Sequence, residues 1–207
     1  MNILHLSDTH GRHGQLAKMP DADVVVHSGD FTWAGSEQEV VEFMEWFCGL
    51  PYRHKVLVAG NHDDCLYGAV LEGLPDGTHY LYNTGVTLDG MRFFGVPMFM
   101  LDDMGGRYDR MLADIPADTD ILITHQPPSG ILDESHGRHY GSKVLRERLQ
   151  VVKPRLHLFG HIHDAWGKVQ SGGTLFANSS VLNERYELTH LPQMFSIGTD
   201  AVGQGQS

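Results

Sequence analysis

Cysteine, basic side chains and long apolar runs are all scarce in this chain of 207 residues. The two cysteines, Cys48 and Cys65, lie far apart and form no CxxC pattern, which excludes a disulfide framework and a zinc ribbon. No segment approaches the roughly 20 apolar residues of a membrane-spanning helix. The N-terminal MNILHLSDTHGRHG has neither a basic start nor a small-residue cleavage site. We therefore expect a soluble cytoplasmic protein without membrane association.

The charge balance is acidic, with 15 lysine and arginine residues against 26 aspartate and glutamate residues and a formal net charge of −11. Such a surface repels a phosphate backbone, so we expect no strong nucleic-acid binding. The hydrophobic fraction of 41% is ordinary for a globular protein. We expect one domain over residues 1–198 and a flexible Gly- and Gln-rich tail over residues 199–207. The oligomeric state stays open.

Five short apolar runs, at residues 2–6, 23–27, 55–59, 120–124 and 155–159, predict buried strands. Between the second and third runs, Ser36 and Glu39 form a capping box for a helix that ends near Gly49. A second helix is predicted before Pro154. This alternation of strands and helices predicts an α/β fold with helices outside a sheet.

Other stretches break that alternation. Residues 80–97 and 167–180 combine short apolar runs with turn residues, which predicts antiparallel hairpins, and residues 192–197 resemble another strand. A mixed sheet system follows. Residues 98–118 have little periodicity and predict a loop with a short helix over one face. Four side chains there are interpreted as solvated loop residues, with tuning of substrate choice as the alternative: Asp102, Asp103, Arg107 and Tyr108.

Polar side chains follow each of the five predicted strands, in the segments SDTH, SGD, GNHDD, THQPP and GHIH. Ligands of open α/β sheets bind beyond the carboxyl ends of strands, so adjacent strands would bring these groups to one site. The i, i+2 spacing of Asp8 and His10 also predicts that both lie on one strand face. The candidate site residues are Asp8, His10, Asp30, Asn61, His62, Asp63, His125, His161 and His163.

The types of these side chains indicate the chemistry. Carboxylate, imidazole and amide oxygen without thiolate favour a borderline divalent metal: Mn, Fe, Zn, Co or Ni, of which we favour Mn or Fe. Seven such groups are too many for one ion, so we expect two ions joined by one carboxylate. Two ions bring four positive charges, and Asp8 and Asp30 return only two negative ones. The site therefore favours an anion such as phosphate.

The ordered set DTH, GD, GNHD, H and GHIH, from Asp8 to His163, resembles the motifs of the calcineurin-like metallophosphoesterase superfamily. Segments such as ADVVVHSGDFT and DILITHQPP resemble its metallophosphoesterase-domain-containing (MPPED) subgroup. The resemblance implies a four-layer α/β/β/α sandwich with two mixed β-sheets. It assigns Asp8, His10 and His163 to one metal, assigns Asn61, His125 and His161 to the other, and makes Asp30 the bridge between them.

The same resemblance implies roles for the remaining candidates. His62 would face the phosphate and stabilise charge or protonate the leaving alkoxide, with Asp63 orienting the His62 ring. Arg138 and His139 are candidate contacts to a phosphate or a sugar. Departures also matter: GDFTWAG lacks the arginine of Ser/Thr protein phosphatases, and Trp33 stands where purple acid phosphatases place a tyrosine ligand.

The implied activity is hydrolysis of a small, cyclic nucleotide-like phosphodiester by attack of a hydroxide that bridges the two metals. The diester preference rests on the MPPED resemblance alone. Two alternatives remain open: a phosphomonoesterase on a small substrate, and a metal- or nucleotide-binding signalling protein with little turnover. His5, His27 and His157 lie inside predicted strands and are expected to pack in the interior or behind the ligands.

Overall fold

The structure is a computed structural model that describes residues 1–16 and 19–198. The predicted tail over residues 199–207 lies outside the described residues. The four α-helices of the described part are α1 (Glu37–Cys48), α2 (Met100–Met104), α3 (Arg107–Ala113) and α4 (Lys143–Val152). Its strands are β1 (Asn2–Leu6), β2 (Val24–His27), β3 (His54–Leu57), β4 (Thr78–Tyr80), β5 (Thr84–Leu88), β6 (Met91–Val96), β7 (Ile121–Thr124), β8 (Glu134–Ser135), β9 (Arg138–His139), β10 (Leu156–Phe159), β11 (Gly167–Ser171), β12 (Thr174–Asn178) and β13 (Gln193–Ser196).

Two large sheets carry most of these strands. The first has the order β13-β1-β2-β3-β4, in which β13 is antiparallel to β1 and the other pairs are parallel. The second has the order β11-β12-β10-β7-β6-β5, with antiparallel pairs at both edges and parallel pairs between them. Both sheets are therefore mixed. The two predicted hairpins form the antiparallel edges of the second sheet, and the predicted strand at residues 192–197 forms the antiparallel edge of the first.

Alternation along the strands builds three apolar layers. Ile3 packs between the two sheets with Val26 and Ile123, whereas its neighbour Leu4 faces the opposite side of the first sheet. That outer side is covered by α1, which contributes Phe43. The outer face of the second sheet is covered by α3 and α4 through Tyr108, Met111, Leu112, Leu145 and Leu149. The result is the four-layer α/β/β/α sandwich, which confirms the predicted fold class.

The first helix begins as its sequence predicts. The Ser36 hydroxyl accepts from the Glu39 backbone N–H, and the Glu39 carboxylate accepts from the Ser36 backbone N–H, which completes the capping box. Ser36 Oγ also donates to Glu39 Oε2 over 2.8 Å.

No helix of the described residues has the length and apolar character needed to cross a membrane.

Residues 98–118 differ from their sequence-based interpretation, because they hold two short helices, α2 and α3, rather than one. Asp102 and Tyr108 are fully buried, so the expectation of solvated side chains is wrong for both, whereas Asp103 and Arg107 are exposed. Asp102 pairs with Arg107 at 3.4 Å and accepts a hydrogen bond from Tyr82 at 3.3 Å. The second helix places Tyr108 against the sheet because its apolar residues recur at helical spacing.

The three histidines within strands are buried, as predicted. His5 contacts Ser28 Oγ, His27 contacts Thr9 Oγ1, and His157 contacts Thr124 Oγ1, at 2.8, 3.1 and 2.9 Å respectively. Burial lowers the pKa of His157 to about 3. His157 is therefore a neutral polar residue of the interior at physiological pH.

This histidine makes the fold sensitive to acid. Between pH 6.5 and about 3 the unfolded chain binds a proton at His157 that the folded chain does not, so stability falls as the pH falls. We expect His157→Gln to reduce the slope of unfolding free energy against pH by about 1.4 kcal/mol per pH unit in that window. Urea unfolding at pH 6.5, 5.5 and 4.5 measures it. Thr124→Val, which removes the hydrogen bond but no titrating group, should lower stability equally at each pH, and parallel slopes for wild type and His157→Gln would contradict the prediction.

Candidate metal centre

The candidate site lies where the ends of both sheets meet. The strands that precede its motifs are β1, β2 and β3 in the first sheet and β7 and β10 in the second. They do not form the one sheet that the alternation of strands and helices suggested, and instead occupy the two sheets that the family resemblance implied. Backbone hydrogen bonds join the sheets at this edge, from Ser7 N to Ser179 O at 3.0 Å and from Met98 N to Ala59 O at 3.1 Å. The strand ends therefore converge across the interface between two sheets.

Three overlapping groups of side chains there are close enough to hold metal ions. They are Asp8, His10 and His163; His10, Asp30 and His62; and Asp30, His125 and His161, with ligand atoms within 4.8 Å of one another in each group. Asp30 Oδ2 lies 3.2 Å from His125 Nε2 and 3.8 Å from His10 Nε2. Asp30 thus belongs to two of the three groups. Asn61 Oδ1 approaches His125 Nε2 at 3.1 Å and joins the third group.

Left-handed backbone conformations aim several of these side chains. Asp8, His10, Asp30 and His161 have φ values of 56°, 40°, 56° and 69°, which are unfavourable for residues with a Cβ and concentrate at functional sites. Asp8 and His10 follow β1 rather than lie within it, so the predicted shared strand face is wrong. A turn after the strand brings the two side chains together instead.

Glycines next to the motifs provide the space that this crowding needs. A Cβ on Gly60 would overlap Asp30 Oδ1, and a Cβ on Gly160 would overlap Asp8 Oδ2. Only glycine lets the backbone of the GNHD and GHIH segments approach the carboxylates so closely.

The electrostatics of the cluster require positive charge. Asp8 and Asp30 are almost fully buried, and within the described residues the ion pairs they make are with histidine rings, not with lysine or arginine. Burial opposes ionisation of Asp8, but the hydrogen bond and charge of His163 outweigh it and hold the Asp8 pKa well below its usual range. Burial likewise opposes protonation of His125, yet Asp30 raises the pKa of His125 to about 9. Protons on histidine thus compensate the carboxylates when no cation does.

The histidine tautomers fit metal ions. The Nδ1 atoms of His10, His125 and His163 donate to the backbone carbonyls of Thr32, Ser28 and Asn183, at 3.1, 2.9 and 3.0 Å. In the neutral ring this leaves Nε2 free of a proton and turned towards the carboxylates. His10 Nε2 is buried without a hydrogen-bond partner, and such an atom is costly unless something binds it. The donor set therefore fits divalent metals.

Metal binding should release protons. At pH 7.5 His125 of the metal-free protein is protonated because its pKa is about 9, and it must lose that proton before Nε2 can bind a metal. We expect at least about one proton released per protein at pH 7.5, falling towards zero above pH ~10, with apparent affinity rising about tenfold per pH unit below pH ~9. Calorimetric titration in two buffers of different ionisation enthalpy measures the number. His125→Asn should release correspondingly fewer protons, and release that does not vary between pH 7 and 10 would contradict the assignment.

His62 is held differently from its prediction. Its Nδ1 donates to the Trp33 carbonyl at 3.0 Å, its backbone N–H donates to Asp30 Oδ1 at 2.8 Å, and its ring meets His10 edge-on at 4.7 Å. The expected hydrogen bond between the His62 ring and Asp63 is therefore wrong. Trp33 stands at the position where purple acid phosphatases place a tyrosine ligand. Its carbonyl oxygen accepts the His62 Nδ1–H, and its side chain is half-exposed.

Asp63 instead joins two loops of the site. Its buried carboxylate accepts from the backbone N–H groups of Asp30, Gly60 and Thr32 at 2.8 to 2.9 Å, and from the Thr32 hydroxyl at 2.9 Å. Burial and the Asp30 charge raise the pKa of Asp63 to about 7, against the effect of these donors. Asp63 is thus a positioning residue for the loop that carries Asp30.

The segment containing Arg138 and His139 forms the small β8-β9 hairpin. His139 Nδ1 pairs with Asp133 Oδ1 at 2.8 Å, and that hydrogen bond raises the His139 pKa. A cleft of about 260 Å³ opens beside His161 and His163, and its wall contains Ser135 and Tyr140 rather than Arg138 or His139. Contact of Arg138 or His139 with substrate stays a prediction.

Two residues of the site were absent from the sequence-based prediction. Asn183 supplies the carbonyl that holds His163, and the Tyr186 ring packs against both His10 and His163 with centroids 5.1 Å apart. They follow the last recognisable motif by about twenty residues and match none of the five segments. No local sequence pattern indicates these two residues. Their approach to the site depends on backbone hydrogen bonds between distant segments, such as that from Val181 N to Ser7 O at 3.0 Å.

Comparison with known proteins agrees with this geometry. Residues 1–165 match the sequence profile of the calcineurin-like phosphoesterases. The chain is 33% identical to a UPF0046 protein of Caenorhabditis elegans, over 95% of this chain and 75% of that protein. It is also 33% identical to Metallophosphoesterase domain-containing protein 1 of Homo sapiens, over 94% of this chain and 70% of that protein. A solved crystal structure shares the fold with a TM-score of 0.59 and 13% identity, over 95% of this chain and 99% of that one.

A layered α/β sandwich with buried carboxylates and imidazoles at its strand ends is the architecture of a metal-dependent phosphoesterase. The chain belongs to the calcineurin-like phosphoesterase family, which confirms the resemblance drawn from the motifs. Divalent metal ions are the cofactors that this family implies, and the three ligand groups are the candidates to hold them.

Proposed function

We propose that this chain is a dinuclear metal-dependent phosphodiesterase that hydrolyses small phosphodiesters. The observation that carries the proposal is the position of Asp30, which belongs to two of the three ligand groups and has one oxygen near His125 and His10. One carboxylate shared between two sets of imidazoles is the arrangement that two neighbouring ions need.

We propose the ligand assignment that the motifs suggested. Asp8, His10 and His163 would hold one ion, Asn61, His125 and His161 the other, and Asp30 both. When bound, such ions neutralise phosphoryl oxygens and make water nucleophilic near neutral pH. The bond changes are those of hydrolysis: water attacks phosphorus and gives up one proton to solvent, one ester P–O bond breaks, and the departing alkoxide takes up a proton to leave as the alcohol.

His62 is the proposed source of that proton. Because its Nδ1–H donates to the Trp33 carbonyl, Nε2 is the ring atom left to exchange a proton with the ester oxygen. The same bond and the edge-on contact with His10 fix the ring beside the ligand groups. Asp30 Oδ1 accepts the His62 backbone N–H, so the bridging carboxylate and the proposed acid are positioned by one contact.

The cleft of about 260 Å³ beside His161 and His163 favours a diester over a monoester. A monoester has one organic group, whereas a diester needs room for two, and the cleft offers the second group a place next to the phosphate. A phosphomonoesterase is the alternative within the same chemistry, and a binding protein with little turnover is the alternative outside it.

The test uses metal-stripped protein refilled separately with Mn, Fe, Co, Ni or Zn, with metal content measured on each sample. Hydrolysis of bis(p-nitrophenyl) phosphate is compared with that of p-nitrophenyl phosphate. We expect metal-dependent cleavage of the diester, faster than of the monoester, at two ions per protein. Faster cleavage of the monoester would favour the phosphomonoesterase, and two bound ions without turnover on either substrate would favour the binding protein.

A further inference from the structure

Tyr186 has an unusual backbone for an aromatic residue. Its φ of +58° lies in the left-handed region, which a bulky side chain rarely adopts and which persists only when the surrounding structure imposes it. Here a tight turn imposes it, in which Tyr186 N donates to Asn183 O at 2.8 Å and Asn183 N donates to Glu187 O at 3.0 Å. The Asn183 side chain reinforces the turn by accepting from the Glu187 backbone N–H at 3.0 Å.

The turn places the Tyr186 ring against the candidate metal ligands. Its centroid lies 5.1 Å from those of His10 and His163 and 4.7 Å from that of Trp33, each nearly edge-on. The ring is half-buried and lines the cleft beside the ligands, together with His161, His163, Tyr140, Asp164 and Glu184. A strained residue whose side chain bounds a cleft at a ligand cluster indicates a role in function.

We propose that Tyr186 is a specificity-determining residue, whose ring forms the wall against which a flat, uncharged ester group of the phosphodiester packs. This inference rests on the proposed function, because it concerns the substrate of the same site. An aromatic ring binds flat groups by stacking and edge contacts.

Charge at the cleft sets the second part of the substrate class. Asp164 and Glu184 line it, and no lysine or arginine is among its described lining residues. His136 lies beside the cleft, with its Nε2 2.8 Å from Glu184 Oε2. A group with a further phosphate or carboxylate would meet these acids without a compensating charge, so the cleft favours an uncharged group.

A merely structural role for Tyr186 is the competing explanation. The same turn supplies the Asn183 carbonyl that holds His163 Nδ1 at 3.0 Å. If Tyr186 only maintained the turn, its loss would move His163, reduce metal binding and lower activity on every substrate alike. The two explanations therefore differ in metal content and in the dependence on substrate shape.

The experiment compares bis(p-nitrophenyl) phosphate with methyl p-nitrophenyl phosphate, which release the same phenolate but differ in the retained group. The variant is Tyr186→Asn, because asparagine tolerates the left-handed backbone and lacks the ring; Tyr186→Ala serves if it fails to fold. We expect the ratio of kcat/KM for the aromatic over the methyl diester to fall about tenfold. Tyr186→Phe should keep the ratio within about twofold, since the ring and not the hydroxyl makes the wall.

Metal content and Tm are measured on every variant. Tyr67→Ala, which truncates an exposed aromatic residue that does not line the cleft, is the matched control and should leave the ratio unchanged. An equal fall on both substrates, or loss of metal from Tyr186→Asn, would overturn the inference while the proposed function stands. Failure of the metal-loaded wild type to cleave either diester would overturn the proposed function and this inference with it.

Discussion

His62→Ala is expected to lower kcat by about 10²- to 10³-fold while both metal ions stay bound. A positioned proton donor at the ester oxygen is worth about that factor. His62 is placed for the role by its Nδ1 bond to the Trp33 carbonyl at 3.0 Å, which leaves Nε2 available. Its backbone N–H bond to Asp30 does not involve the side chain, so it persists in His62→Ala.

The measurement combines metal analysis with steady-state kinetics on diphenyl phosphate, whose phenolate leaving group is a much stronger base than p-nitrophenolate and therefore needs the donated proton. His62→Asn is the matched variant, because its amide can donate to the Trp33 carbonyl without carrying a titrating group. We expect its kcat to stay as low as that of His62→Ala. His62 also belongs to one of the three groups close enough to hold a metal. Loss of an ion in both variants would therefore make His62 a ligand and remove it as the proton donor.

The side chains of the candidate site were predictable because each follows directly on an apolar run. A buried strand and its polar end are local features, so the segments around Asp8, Asp30 and His125 could be found by reading along the chain. The hairpins at the sheet edges were predictable for the same reason, since their turns carry glycine. Local patterns did not separate the five strands into two sheets. That division depends on which faces pack in the central apolar layer.

Other parts of the site depend on contacts between distant segments. Asp63 follows His62 in sequence, which suggested a hydrogen bond between neighbours, but its carboxylate faces the backbone N–H groups of Asp30 and Thr32. Four donors converge on Asp63 because two loops meet there, a fact that no single segment encodes. Tyr186 is a second case, in which a turn beyond the last motif returns to the ligand histidines.

The ligands were easier to predict than the groups that support them, and this difference has a physical cause. Side chains that bind metals must be of a few chemical types, so their identities reveal them even in isolation. Groups that support them can be any residue with a carbonyl, such as Thr32, Ser28 and Asn183, which hold three of the histidines through the backbone. A backbone carbonyl has no signature in the sequence. The supporting contacts of a metal site are therefore harder to predict than its ligands.

The second large effect is expected from Asp30→Asn, which should remove at least one ion per protein and lower kcat/KM by about 10³-fold or more. Asparagine tolerates the φ of 56° at this position and can still accept the His62 N–H, so the backbone is expected to keep its conformation. What the substitution removes is one negative charge between His10 and His125. A neutral amide cannot offset the repulsion between two divalent ions.

Comparing the metal content of Asp30→Asn with that of Asp8→Asn tests whether Asp30 bridges two ions. Asp8 belongs to one ligand group and Asp30 to two, so loss at Asp8 should weaken mainly one ion, whereas loss at Asp30 should weaken both. Asp109→Asn, an exposed change of the same kind in α3, controls for the removal of charge as such. If Asp30→Asn and Asp8→Asn each lost one ion and retained the other with equal affinity, Asp30 would be an ordinary ligand of a single metal. The dinuclear proposal would then lose the residue on which it depends, because no other carboxylate in the described residues is shared between two ligand groups.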